Sequence, residues 1–219
     1  MFPWNSGTQG PNGWERARGL IEMGFRIPGF DGMQTYGRLR FLYRSILRHA
    51  VAQSGNAVEI GCYKACSTVV MAKACLKKAI GRIYSLDLFS GTPDWNQPFD
   101  THEAALERIE EYELGDCVTL IRAESRAHSW QLPIDVLHVD GDHSYDAVKA
   151  DLEKFSPFLS SRGLLIVDDY DQSHPEVKRA VDDFIGAHPQ YRIVDRYEEN
   201  GIAGSACVAN ASEIGTKRG

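Results

Sequence analysis

Long apolar runs are missing from this chain. None of its 219 residues lies in a run near the about 20 consecutive apolar positions that a membrane-spanning helix requires. The opening "MFPWNSGTQGPNGW" has neither the basic stretch nor the apolar core of a secretory leader, so a cytoplasmic protein with no membrane partner is expected. A basic surplus is missing as well. The 24 Lys and Arg are outnumbered by 30 Asp and Glu, and the net charge of −6 argues against nucleic acid as the main partner. Cysteine is sparse and odd in number: Cys62, Cys66, Cys75, Cys117 and Cys207 form no paired framework, and reduced thiols are expected. Cys62 and Cys66 lack the second pair that a zinc site needs and read as packing residues. Internal repeats and low-complexity tracts are absent.

What remains is an alternating pattern on a chain long enough for one well-buried core. Residues 1–34, rich in Gly, Pro and aromatics, read as an irregular arm; residues 35–210 carry the pattern, and residues 211–219 are a tail. Tyr36, Leu39, Tyr43, Ile46, Leu47 and Ala50 repeat at helical spacing, and "SGN" (54–56) stops the helix. Strands are expected at "AVEIG" (57–61), "RIYSLD" (82–87), "CVTLI" (117–121), "IDVLHV" (134–139) and "GLLIV" (163–167). Helices fall between them at 67–79, 100–115, with Asp100 and Glu103 as a capping box, and 145–159. A further helix starts between Ser173 and Glu176, with Val177, Ala180, Val181, Phe184 and Ile185 on its buried face. Two last strands, 191–197 and 204–210, flank an Asn200-Gly201 reversal. The reading is an α/β protein: a Rossmann-like, seven-stranded, mostly parallel sheet covered by helices on both faces, ending in an antiparallel hairpin.

Ligands of such sheets bind beyond the carboxyl ends of the strands, where strand order reverses. The residues found there are Gly61 and its loop, Asp87, then Glu124 and Ser125, then Asp140, Asp142 and His143, and finally Asp168 and Asp169. Gly61 permits close backbone approach, and the helix that follows offers free N–H groups to an anion. Asp87, at the end of the second strand, suits the hydroxyls of a ribose. A nicotinamide site would need G-x-G-x-x-G for its pyrophosphate, and only Gly61 of that fingerprint is present, so S-adenosylmethionine fits better. In "LHVDGDHSYDAV" (137–148), a helix cap explains one of Asp140, Asp142 and His143 but not all three. Neighbouring parallel strands bring Asp168 and Asp169 toward Asp140, and such acids repel one another unless a cation such as Mg²⁺ joins them.

Together "EIGCYKACST" (59–68), "DGDHSY" (140–145) and "VDDY" (167–170) resemble class I S-adenosylmethionine-dependent methyltransferases, specifically the DGDHSY-type branch related to macrocin-type sugar O-methyltransferases. The chain departs from that family at Ala65, where a second glycine is usual. The resemblance, which covers about 35–210, implies that Glu59 and Gly61 shape the methionine pocket, Ser67 binds its carboxylate, Asp87 holds the ribose and Ser125 lies by the adenine. It implies Mg²⁺ on Asp140, Asp168 and Asp169, and a general base at Asp142 or His143. The expected activity is Mg²⁺-assisted methylation of a hydroxyl on a small sugar- or catechol-like acceptor, by a homo-oligomer whose aromatic arm serves as lid or dimer contact. A nicotinamide-dependent oxidoreductase and a non-catalytic S-adenosylmethionine-binding module are the alternatives.

Overall fold

The computed structural model describes residues 22–26, 34–91, 99–199 and 203–210. Seven strands, β1 (Asn56–Ile60), β2 (Arg82–Asp87), β3 (Val118–Arg122), β4 (Ile134–Val139), β5 (Leu159–Asp168), β6 (Tyr191–Glu199) and β7 (Ala203–Asn210), form one sheet in the order β3-β2-β1-β4-β5-β7-β6. β1 to β5 pair in parallel, and β7 joins β5 and β6 antiparallel, as the sequence pattern requires. Helices α1 (Tyr36–His49), α2 (Cys66–Lys77) and α3 (His102–Glu111) pack on one face, and α4 (Tyr145–Phe155) and α5 (Pro175–Ala187) on the other. β1 and β4 are buried along their whole length, which is why they show no alternation of apolar and exposed polar positions. Strand order reverses between these two strands, so their carboxyl ends open a crevice.

Several boundaries differ from the expectation. The helix read at 145–159 stops at Phe155 and passes through a 3₁₀ turn, Ser156–Phe158, because Pro157 has no N–H to continue the ladder. β5 accordingly begins at Leu159, four residues before Gly163. The capping box at Asp100 does not form. Asp100 Oδ1 accepts the His102 N–H at 2.8 Å, the helix starts at His102, and the same carboxylate pairs with Arg122. By contrast, α5 begins at Pro175, between Ser173 and Glu176 as the sequence predicts, and the Ser173 hydroxyl donates to Asp171. The five cysteines are free thiols. Residues 22–26 of the N-terminal arm pack on the body of the domain: the Met23 carbonyl accepts from Tyr43 and Lys77, and Phe25 lies 5.8 Å from the Tyr43 ring. The rest of the arm, the 200–201 reversal and the tail lie outside the described residues. No described helix is long and apolar enough to cross a membrane.

At the opposite end of the sheet, the buried Asp135 side chain accepts N–H groups from Gln53, Ser54 and Gly55 at 2.7–3.1 Å and the Ser160 hydroxyl at 2.7 Å. It thereby ties the turn before β1 to β4 and β5. Burial opposes its ionisation, but the Ser160 hydroxyl and the three amides outweigh that and hold the carboxyl below its usual value. Its contribution is therefore full above the ordinary carboxylate pKa of about 4 and is lost as pH falls through the depressed folded value. Asp135→Ala strands those donors and should cost about 2–4 kcal/mol in urea unfolding at neutral pH. A cost below about 1 kcal/mol would show that water replaces the carboxylate.

Candidate active site

The crevice is assembled from the ends of β1, β2, β4 and β5. At the end of β1 the Gly61 N–H donates to the Leu86 carbonyl at 2.9 Å, and Gly61 adopts φ +88°. A Cβ there would stand 1.8 Å from the Asp140 carbonyl, so no other residue fits between β1 and β4. The loop then turns through two non-glycine left-handed residues, Tyr63 (φ 49°) and Ala65 (φ 60°). Ala65 thus takes a left-handed backbone conformation that favours glycine, in a fully buried position. Such a conformation is costly and persists where its surroundings over-determine it.

Asp87 is what fixes this loop. Its Oδ2 accepts the Cys62 and Tyr63 N–H groups at 2.8 and 2.7 Å, and its Oδ1 accepts the Phe89 N–H at 2.6 Å. It therefore ties the segment after β1 to the segment after β2 through backbone amides. Glu59 is fully buried on β1: Oε2 accepts from Thr68 at 2.5 Å and Ser85 at 2.8 Å, and Oε1 lies 3.3 Å from His138 Nδ1. This network braces β1, β2, β4 and α2 beneath the loop. Ser67 is buried in the first turn of α2. Ser125 donates to Asp151 Oδ1 at 2.6 Å, a carboxyl that burial pushes up from its usual value.

Register brings the acids together. Val139 pairs with Val167, so Asp140 and Asp168 leave adjacent strands side by side. Asp140, Asp168 and Asp169 each present an oxygen, all within 4.8 Å of one another. Asp169 holds φ 55°. Burial, reinforced by Asp168 and Asp169, raises the Asp140 carboxyl well above its usual value; burial also raises Asp168, against the pull of Arg38. Asp169 goes the other way. Burial opposes its charge, but His143, Arg38 and His174 outweigh it and hold the carboxyl far below the usual range.

His143 Nε2 lies 3.0 Å from Asp169 Oδ2, with the imidazole half exposed. Asp142 is turned to the start of α4, where its Oδ1 accepts the Ser144 N–H at 2.7 Å, and that amide lowers its carboxyl from the usual value.

Three residues that sequence reasoning passed over also reach the cluster. Arg38, near the start of α1, places its guanidinium 3.2 Å from Asp168, 2.6 Å from Asp169 and 3.3 Å from Asp171. Burial opposes its charge, but the carboxylates around it raise its pKa further. Gln34 donates to Asp140 Oδ2 at 2.5 Å. His174 Nδ1 lies 3.2 Å from both Asp169 Oδ1 and Asp171 Oδ1. Nothing local in "MQTYGRLRF" marks Gln34 or Arg38, since both act across more than 100 residues. His174, five residues beyond Asp169 and ahead of a Pro-started helix, carried the only local signal.

A family model described as "Methyltransferase domain" matches residues 58–170, half of the chain. Comparison with curated proteins gives no match. Among solved structures, the fold is similar to an O-methyltransferase from Bacillus cereus in complex with SAH (TM-score 0.63, 16% identity, 91% of this chain and 92% of that one). It is similar also to the O-methyltransferase NovP (TM-score 0.61, 18% identity, 85% and 84%) and to a calicheamicin methyltransferase (TM-score 0.59, 19% identity, 78% and 77%). At such identities the likeness is one of fold.

Proposed function

The chain belongs to the class I S-adenosylmethionine-dependent methyltransferases, and from that premise we propose that it methylates a hydroxyl oxygen of a small acceptor with the help of Mg²⁺. The observation that carries this reading is the convergence of Asp140, Asp168 and Asp169 beside the Gly61 loop. The donor set fits a hard divalent cation: three carboxylates meet in one half-buried place, with Asp171 close by, and Arg38 offsets only part of their charge. The oxygens that would hold the ion now accept from Gln34 and face Arg38, so loading would exchange those contacts. When bound, Mg²⁺ would make the acceptor hydroxyl more acidic and orient it.

The chain's own groups supply the rest. Gly61 and the amides of its loop admit the methionine end of the donor, Ser67 faces its carboxylate, and Glu59 keeps β1 and α2 in register beneath it. Asp87 holds the loop closed through Cys62 and Tyr63 and lies where the ribose passes; Ser125 lies by the adenine. With Asp169 at Nε2, the His143 tautomer carries its lone pair on Nδ1, which takes the hydroxyl proton. The acceptor oxygen bonds to the methyl carbon as the carbon–sulfur bond breaks, leaving S-adenosylhomocysteine. Positioning by the crevice contributes much of the acceleration.

A vicinal diol, on a sugar or a catechol, suits a cation flanked by carboxylates. NovP and the calicheamicin enzyme are described as methyltransferases, which favours this class over oxidation. A screen of sugar and catechol acceptors with methyl-labelled S-adenosylmethionine tests the reading; label retained on the donor with every hydroxyl acceptor would count against it. For the cofactor, Asp87→Ala should weaken S-adenosylmethionine binding about tenfold or more in calorimetry, about 1.4 kcal/mol, because the Gly61 loop loses two amide contacts and the ribose its carboxylate. Unchanged affinity would remove Asp87 from the site.

A further inference from the structure

Beside the acid cluster lies a second set of donors, two of which, His143 and His174, the proposed reaction does not use as ligands. We propose that His143, Asp169 and His174 form a site for a first-row transition-metal ion such as Zn²⁺ or Co²⁺, separate in chemistry from the all-oxygen set and sharing only Asp169 with it. His143 Nε2 stands 3.0 Å from Asp169 Oδ2, and His174 Nδ1 stands 3.2 Å from Asp169 Oδ1. One ligand atom from each residue lies within 4.8 Å of the other two. Ligands on bonds of about 2.0–2.1 Å in a tetrahedral site are about 3.3 Å apart, so these spacings need little adjustment. The two imidazoles lie 4.7 Å apart by their ring centres, on the same side of Asp169.

A second observation points to a ligand here. Asp169 is buried, and its Oδ1 has no hydrogen bond of normal geometry although Arg38 and His174 nitrogens are near it. The Arg38 guanidinium stands 2.6 Å from that oxygen, and an ion bound here would take its place. Two imidazoles with one carboxylate select transition metals over Mg²⁺, which prefers oxygen alone. Asp171 Oδ1 accepts the Ser173 N–H and hydroxyl and the His174 N–H, and it lies 3.2 Å from His174 Nδ1, a contact that a bound ion would replace. On the methyltransferase reading, an ion held here would withdraw His143 from proton transfer and compete for Asp169, so it would inhibit.

The test uses the full chain, stripped with a chelator, without methyl donor or acceptor, so that it is independent of the reaction. Co²⁺ is titrated and its visible absorption followed. The intense bands of a four- or five-coordinate, nitrogen-containing site are expected in the wild type. His174→Gln should weaken Co²⁺ binding about tenfold or more and abolish those bands. Asp140→Asn should leave both unchanged. The faint spectrum of octahedral oxygen coordination in the wild type would overturn the proposal without any variant. So would bands that survive His174→Gln with its melting curve intact, or bands lost in Asp140→Asn, which would place the ion among the acids.

Discussion

Replacing His143 by alanine should lower kcat about a hundredfold or more, the low end for the loss of a general base, while S-adenosylmethionine affinity barely changes. The expectation rests on two contrasting environments in "DGDHSY". The His143 imidazole is half exposed beside the acid cluster, with Nε2 3.0 Å from Asp169 Oδ2. The Asp142 carboxylate is held by the Ser144 N–H at the start of α4, which lowers its basicity. Imidazoles titrate near neutrality, so the variant should also lose the acidic limb of its pH–rate profile. Asp142→Asn should shorten the life of α4's first turn more than it slows the reaction. If instead Asp142→Asn removes activity, and His143→Ala keeps most of it with the limb intact, the base is Asp142 and the histidine serves only to hold Asp169.

Much of this could be read from the chain because the fold's periodicities are local. β1 and β4 are buried throughout since both faces are covered, and the residues that follow each strand must land on one edge of a parallel sheet. The pairing of Asp140 with Asp168 follows from register alone. What escaped notice depends on distance or on competition. Arg38 belongs to the amphipathic α1 and Gln34 lies just before its N-cap Thr35, and only tertiary packing delivers them to carboxylates 106 to 134 residues away. Asp135 hides in "IDVLHV", where an apolar run disguises a buried carboxylate that binds three amides. Asp100 and Ser173 look like caps, yet Arg122 and Asp171 claim them. Pro157 was legible and sets the true end of α4. Ala65 shows the reverse: its side chain argues against a left-handed turn, and the buried loop imposes one.

The cation is the part of the account with the largest chemical consequence. Two carboxylates about 4 Å apart repel by roughly 4 kcal/mol at an effective dielectric near 20, and here Asp140, Asp168 and Asp169 crowd together with Asp171 at their side. Arg38 supplies one positive charge, and burial raises the carboxyls of Asp140 and Asp168, as expected of a cluster short of positive charge. A divalent ion would balance it and acidify the acceptor at the same place. The most direct test is transfer of labelled methyl from S-adenosylmethionine to a vicinal diol acceptor, measured after exhaustive chelation and again after Mg²⁺ is restored. The account predicts that transfer falls to background without the ion and returns with it. Undiminished transfer in the chelated protein would contradict it.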